Sequence, residues 1–151
     1  DQMGAKFEFH ELDSGMKIDL GDGINLRTVL NNHPGGGLSY RLDYHGRSCC
    51  YVTDTEHYSE IDKALCKFIS NSDLVIYDAH FTDEEYPDYV GWGHSTWQEG
   101  IKLIEAAGAK QLVLFHHANF RNDREMDIIE QQAQIRRPNS VAAREGMVIN
   151  L

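Results

Sequence analysis

Aspartate and histidine recur where extended segments of this chain are predicted to end. Asp54 closes SCCYVTD, Asp78 closes DLVIYD and His116 closes QLVLFH. His33 lies in the glycine-rich segment NHPGGG. A strand end is rigid, so a side chain fixed there can be held in the narrow geometry that a metal ion requires of its ligands. The pattern therefore predicts a metal site assembled from several strands.

A second arrangement predicts that these residues share one cleft. GWGHSTW places His94 just before a predicted helix start, and His116 follows 22 residues later, after one helix and one strand. A helix and its following strand run in opposite directions, so both histidines are expected at the same edge of the sheet. Asp78 can accept a hydrogen bond from His94 and fix its tautomer. His33 and Asp54 flank a predicted hairpin of 20 intervening residues, whose base would bring them together.

The elements that must position these residues change character after Asp54. Before it, short segments rich in β-branched and aromatic residues are separated by turn signals, which predicts an antiparallel meander. Its predicted strands are KFEFHEL, MKIDL, INLRTVL, LSYRLDY and SCCYVTD. Beyond it, the helix signals SEIDKALCKFI and STWQEGIKLIEAA, the second capped by Ser95 or Thr96, alternate with the apolar strands LVIYD and QLVLF.

A last helix at about 123–135 and a terminal strand, MVINL, complete the prediction. Strand, helix, strand in that order implies parallel neighbours that are buried on both faces. The predicted fold class is therefore α/β, an antiparallel meander followed by β-α-β units, in one domain that covers residues 1–151.

Composition restricts the classes of partner. The chain has 151 residues, 41% of them hydrophobic, and no apolar run long enough for a membrane span, which predicts a soluble domain. Fourteen basic residues against 24 acidic ones give a formal charge of -10, which repels a phosphate backbone. General nucleic-acid binding is therefore not expected. The three cysteines have neither disulfide-framework nor zinc-ribbon spacing and are predicted to be core residues of a cytoplasmic protein.

At the residues singled out above, the chain resembles the C-terminal half of the metallo-β-lactamase fold, an αββα four-layer sandwich. The resemblance is to the phosphodiesterase-like branch, which includes the tRNA 3′-processing endonucleases. The segments that carry it, in the family's order, are NHPGGGLSYRL, YVTDTEH, YDAHFTDEEYPDYVGWGHSTW and LFHH.

This resemblance implies a role for each of the five residues. His33 would ligate one divalent metal ion, Asp54 would bridge two, and His116 would ligate the second. Zinc is the first choice for such ligands, although manganese and iron also accept them. His94, oriented by Asp78, would assist departure of the leaving group. The implied activity is hydrolysis of a phosphodiester or small-molecule substrate by hydroxide that a dinuclear metal site activates.

One departure from the family changes what is expected of the chain alone. The family's first ligand set, His-x-His-x-Asp-His, is absent, because the sequence contains no His-x-His. The resemblance therefore implies that residues 1–151 lack the N-terminal metal-binding half, which would be a required partner, and that the chain alone is inactive. An uncovered apolar sheet face would also permit a homodimer.

Two other functions stay open at this point. The same metal pair can hydrolyse a thioester or a lactone, and the fold can serve as a non-catalytic scaffold or regulatory module with a degenerate metal site. Among the remaining residues, His117 is expected to face away from the site because adjacent strand side chains alternate. His57 is expected either behind the metal ligands or in a solvated loop. The aromatic residues Tyr86, Tyr89 and Trp92 are expected to line a substrate pocket or to pack as a lid.

Overall fold

Seven strands form one mixed sheet whose spatial order follows the chain, in a computed structural model that describes residues 7–151. The strands are β1 (Lys17–Asp19), β2 (Asn25–Leu30), β3 (Leu38–Tyr44), β4 (Arg47–Val52), β5 (Leu74–Asp78), β6 (Gln111–Phe115) and β7 (Ser140–Ala142). Neighbours from β1 to β4 are antiparallel, and neighbours from β4 to β7 are parallel. The predicted meander followed by β-α-β units is confirmed.

Three helices join the parallel strands: α1 (Lys63–Phe68), α2 (Trp97–Ala107) and α3 (Asp123–Arg136). Each begins at a side chain that accepts a hydrogen bond from a backbone N–H of the first turn, and these side chains belong to Asp62, Thr96 and Asn122. Thr96 rather than Ser95 therefore caps α2, which ends at Gly108 in the left-handed conformation. None of the described helices is both long and apolar enough to cross a membrane.

The helices cover one face of the parallel half of the sheet. Two rows of residues cross β4 to β7 in register on this face: Cys50, Val75, Leu112 and Ser140 in one, Val52, Tyr77, Leu114 and Ala142 in the other. The apolar side chains of β4, β5 and β6 in these rows pack in one core with Leu65 of α1, Ile104 of α2 and Ile129 of α3. Burial contributes about 1.5–3 kcal/mol for each large side chain. This layer therefore fixes where the strand ends lie.

The opposite face of the same strands is apolar but partly exposed. Its central row is Tyr51, Ile76, Val113 and Val141. Tyr51 and Phe115 are 39% and 37% exposed, and their ring centroids lie 6.0 Å apart. Met147 and Ile149 line the same groove from the segment after β7. Helices on one face and partly exposed apolar side chains on the other are what the predicted half-sandwich requires.

Two predicted strands are wrong. Residues 7–12 of KFEFHEL contain no strand, and Lys6 lies outside the described residues; Phe9 in this segment is 92% exposed. MVINL contains no strand either, and Val148 in it is 80% exposed, whereas β7 forms earlier, within SVAAREG. Local alternation predicts an extended backbone but not whether a partner strand is available, and packing against neighbours decides strand formation.

Two smaller predictions also need correction. Helix α1 begins at Lys63, four residues after the start of the predicted segment SEIDKALCKFI, because the Asp62 side chain caps it there. All three cysteines are free, and Cys50 is buried as predicted. Cys66 packs against the core from a partly buried position, and Cys49 is also only partly buried, since its side chain lies on the other face of β4 from Cys50.

Candidate metal and catalytic site

The five residues singled out in the sequence meet at one edge of the sheet. Asp78 ends β5, Asp54 and His116 lie one or two residues beyond β4 and β6, and parallel strands end at the same edge. The Nε2 atom of His116 lies 3.5 Å from Oδ1 of Asp54. His33, from the loop between β2 and β3, shares a group with Asp54 and His94 whose potential ligand atoms lie within 4.8 Å of one another.

Asp78 and His94 form the predicted hydrogen bond. His94 Nδ1 lies 3.0 Å from Asp78 Oδ2, and the Asp78 side chain is fully buried. A carboxylate only accepts, so Nδ1 of His94 donates and, in the neutral ring, Nε2 is left with a free electron pair. This hydrogen bond raises the pKa of His94 above its usual value, although partial burial opposes the shift.

Backbone conformation is unusual at two of these residues. Asp54 has a φ of 53° and His116 a φ of 58°, so both occupy the left-handed region without being glycine. Such positions are strained and occur often at functional sites. Both lie just past a strand end, where this turn of the backbone brings the two side chains together.

His33 and Gly93 are in close contact. The Nδ1 atom of His33 accepts a hydrogen bond of 3.0 Å from the backbone N–H of Gly35. A Cβ atom on Gly93 would lie 2.1 Å from Cδ2 of His33, and Gly93 also has a φ of 88°. Only glycine fits this position. Accepting at Nδ1 leaves the proton of the neutral His33 ring on Nε2, so a metal ion at either nitrogen must first displace the Gly35 bond or that proton.

His80 belongs to the site and was missed in the sequence. Its ring stacks on that of His94, with centroids 4.4 Å apart and planes at 17°. Its Nδ1 lies 2.8 Å from the backbone carbonyl oxygen of His116, and burial lowers the pKa of His80. The signal was its position two residues after Asp78, because alternate residues of an extended segment share a face.

Glu56 was also missed, and it organises the loop that carries His94. Its Oε1 accepts from the hydroxyl of Tyr86 at 2.7 Å and from the N–H of Gly91 at 2.8 Å, and its Oε2 accepts from the N–H of Gly93 at 3.0 Å. Burial raises the pKa of Glu56, but these hydrogen bonds outweigh it and the net shift is downward. Nothing local in the sequence connects Glu56 with residues 30 to 37 positions away.

His57 and His117 do not belong to the groups of potential metal ligands that the residues above form. His57 is no solvated loop residue, because its Nδ1 lies 2.9 Å from the hydroxyl of Ser95 and its ring centroid 4.0 Å from that of Tyr86. His117 is in neither group of potential ligands, as strand alternation predicts.

The aromatic loop residues divide into packed and exposed ones. The ring of Tyr89 stacks on Phe81 at 4.3 Å, and Tyr86 is held by Glu56, so both are part of the loop's own packing. Trp92 is 62% exposed, at the outer surface of the loop. Of the three, Trp92 has the side chain most available to a ligand.

The available donor atoms fit a divalent transition-metal ion. Imidazole nitrogens and carboxylate oxygens are the ligands of zinc, and also of manganese and iron. Among residues 7–151, two groups have potential ligand atoms within 4.8 Å of one another: His33, Asp54 and His94, and His80, His94 and His116. His94 has the outer hydrogen bond to a carboxylate that metal-ligating histidines usually make. His33 is less favourable as a ligand, because its Nδ1 already accepts a hydrogen bond from the Gly35 N–H.

Comparison with known proteins identifies the family. The model of the beta-lactamase superfamily domain matches residues 2–117, which is most of the chain. The chain belongs to the beta-lactamase superfamily. Ribonuclease Z of Gemmatimonas aurantiaca is 37% identical over 81 residues, which are 54% of this chain and 26% of that protein.

Two solved structures share the fold. The metallo-beta-lactamase fold protein YhfI of Bacillus subtilis has a TM-score of 0.75 at 20% identity, over 90% of this chain and 52% of that one. Human tRNase Z, short form, has a TM-score of 0.66 at 20% identity, over 89% of this chain and 44% of that one. The α/β architecture predicted from the sequence is therefore part of the metallo-β-lactamase fold.

The matches also show how much of its relatives this chain spans, and they bear on the expectation about nucleic-acid binding. The chain spans about a quarter of the length of the curated relative from Gemmatimonas and about half of each solved chain. The name Ribonuclease Z is at odds with the expectation that nucleic-acid binding is unlikely, because a ribonuclease acts on RNA. Net charge is a property of the whole chain and does not describe the field at one cleft.

Proposed function

We propose that the chain is part of a metal-dependent phosphodiester hydrolase of the beta-lactamase superfamily. The observation that carries the proposal is the fully buried Asp78, hydrogen-bonded at 3.0 Å to His94, beside Asp54 and His116. Here a buried carboxylate orients an imidazole beside potential metal ligands. Enzymes use this arrangement to transfer a proton to or from a reacting group.

His33, Asp54 and His116 would hold two divalent metal ions, zinc as the first choice, together with donors from another half of the fold. Asp54 can bridge because its carboxylate has two oxygens, and it lies near both His33 and His116. When bound, such ions supply a nucleophile at neutral pH and Lewis acidity toward a phosphoryl oxygen.

His94 would deliver a proton to the departing oxygen. Its Nδ1 is committed to Asp78, so Nε2 is the atom that faces the substrate. The negative charge of Asp78 stabilises the imidazolium form, which must exist before the proton is donated. His80, stacked on His94, restricts rotation of the ring and keeps Nε2 directed at one place.

The N-terminal half of the same fold is the proposed partner of this chain. It would supply the missing metal ligands and cover the apolar face around Tyr51 and Phe115, both of which are more than one third exposed. The chain alone would then lack ligands and be inactive. A homodimer is the alternative occupant of the same face, and it would bury apolar surface without adding the missing ligands.

An RNA phosphodiester is the first substrate to test, because the curated relatives are named Ribonuclease Z. The test uses the polypeptide that joins this chain to its N-terminal half, with zinc, a tRNA precursor carrying a 3′ extension, bis(p-nitrophenyl) phosphate, and a panel of thioesters and lactones. We expect the phosphodiesters to be cleaved and His94→Ala to lower kcat at least about 100-fold. His10→Ala, with a side chain 71% exposed, is the matched control.

Other outcomes would assign the alternatives. Faster turnover of thioesters or lactones than of either phosphodiester would move the function to acyl hydrolysis. If the joined polypeptide neither binds metal nor turns over any substrate, the non-catalytic scaffold or regulatory module would be favoured. Turnover by the isolated chain would contradict the proposed need for a second half.

A further inference from the structure

We propose that this chain holds one transition-metal ion by itself, on His80, His94 and His116. One ring nitrogen of each of the three imidazoles lies within 4.8 Å of those of the other two. Their ring centroids are 4.4, 4.9 and 5.5 Å apart. Three histidine ligands are sufficient for a zinc site with an open fourth position.

The hydrogen bonds of His80 and His94 prepare their nitrogens for a metal ion. The carbonyl oxygen of His116 can only accept, so Nδ1 of His80 is a donor and Nε2 of the neutral ring has its electron pair free. Asp78 does the same for His94. A metal-ligating histidine typically makes this kind of outer bond to a carboxylate or a backbone carbonyl. Each of these rings therefore already has the tautomer that a ligand needs.

His116 connects the cluster to a negative charge. Its Nε2 lies 3.5 Å from Oδ1 of Asp54, which places a carboxylate next to the three imidazoles. A carboxylate at this distance offsets part of the charge of a divalent ion. It is also a candidate for the fourth position without a second polypeptide.

The contrast with His33 makes the proposal specific. Nδ1 of His33 accepts from the Gly35 N–H, which leaves the proton on Nε2 of the neutral ring. Neither nitrogen has an electron pair available to a metal ion unless that hydrogen bond breaks or the Nε2 proton is lost. The first ion is therefore expected to bind to His80, His94 and His116, and the group containing His33 to fill only when more ligands are supplied.

This site has a consequence for the proposed hydrolase, although it does not depend on that function. Nε2 of His94 cannot hold a metal ion and donate a proton at the same time. An ion on the three histidines is therefore an inactive state of the cluster. Because His116 would also serve the catalytic pair, an ion on the three histidines and a filled catalytic pair exclude each other in the joined polypeptide.

The test is a titration of the purified 151-residue chain with Co²⁺, followed by visible absorption and by calorimetric stoichiometry. We expect one equivalent to bind with the spectrum of a nitrogen-ligated, low-coordinate ion. His80→Ala is expected to weaken binding at least about tenfold. His80→Phe keeps an aromatic ring against His94 without a lone pair, so it separates loss of the ligand from loss of stacking and is expected to weaken binding equally.

Two further variants fix the identity of the site. His33→Ala and the exposed-residue control His10→Ala are both expected to leave the affinity for the first ion unchanged. Weakening by His33→Ala but not by either His80 variant would overturn the proposal, as would failure of the folded wild-type chain to bind. Because the readout is metal binding by this chain, binding through His80 alongside an inactive joined polypeptide would reject only the hydrolase function.

Discussion

Asp78 receives hydrogen bonds on both oxygens of its buried carboxylate. Oδ2 accepts from His94 Nδ1 and from the N–H of Asp54 at 2.9 Å, while Oδ1 accepts from the N–H groups of His80 and Ser95. A buried charge is tolerated when it is this well satisfied. One side chain therefore sets the backbone at Asp54, the backbone at His80 and the tautomer of His94.

Asp78→Asn tests this role of the buried carboxylate. An amide in the same place can present its NH₂ group to His94, which makes Nδ1 an acceptor and moves the ring proton to Nε2. We expect kcat of the joined hydrolase to fall by about 10²–10⁴. Ring ¹⁵N NMR of the isolated chain reports the tautomer directly, with His10→Ala as the control. An unchanged His94 tautomer would show that Asp78 does not determine it.

Glu56 accepts three hydrogen bonds from the loop between β5 and α2. It holds Tyr86, Gly91 and Gly93, and the last of these contacts His33. The loop therefore connects two parts of the site that are far apart in the sequence, His33 and Gly93. The loop must be rigid to hold the His94 side chain in position, because His94 directly follows Gly93.

Glu56→Gln should loosen this loop without unfolding the sheet. An amide nitrogen in place of one oxygen faces N–H donors and cannot accept from them. Hydrogen bonds to charged groups contribute about 1.5–3 kcal/mol, so we expect the Gly91 and Gly93 amides to exchange with deuterium at least about tenfold faster. The exposed Glu60→Gln is the matched control. Equal exchange in both variants would mean that other contacts hold the loop.

At the other end of the parallel strands, Asp73 joins β4, β5 and the start of β6. Its hydrogen bonds with Lys110 and the Ser48 N–H, with help from Arg47, lower its pKa from 3.8 to about 2. A carboxyl whose pKa is lower in the folded state stabilises the fold above its unfolded pKa. That stability is lost as the pH falls from about 4 to about 2.

Asp73→Asn removes this contribution. We expect the free energy of unfolding at pH 7 to fall by about 1–2 kcal/mol, less than the full shift implies because Lys110 and Arg47 are largely exposed to solvent. Urea unfolding between pH 7 and pH 2 measures it, with the exposed Asp123→Asn as the control. A difference between wild type and Asp73→Asn that persists at pH 2 would contradict the electrostatic origin.

Positions fixed by regular structure could be predicted from the sequence, and positions fixed by loops could not. Asp54, Asp78 and His116 follow apolar strands, so their common edge follows from parallel pairing alone. His80 requires knowing that the chain stays extended beyond β5, and Glu56 requires knowing how the following loop folds back. MVINL and KFEFHEL fail for a related reason: strand formation depends on a partner that the local pattern does not contain.

The two faces of the sheet differ in what covers them. One is closed by three helices, while the other exposes Tyr51 and Phe115 by more than one third each. Contiguous apolar surface of this kind is a site of association in soluble proteins. The superfamily relatives are longer than this chain, which makes the proposed N-terminal half the preferred occupant and a second copy the competing one.

The isolated chain is therefore expected to self-associate through this face, and the association should disappear when the N-terminal half is supplied. Tyr51→Glu places a charge where burial would leave it unpaired, so we expect a shift to monomer in sedimentation velocity. Ile135→Glu, on α3 and 84% exposed, changes charge equally on the helical side and should have no effect. Self-association that survives Tyr51→Glu but is lost in Ile135→Glu would move the interface to the helices. The open sheet face would then be stable in water without a partner.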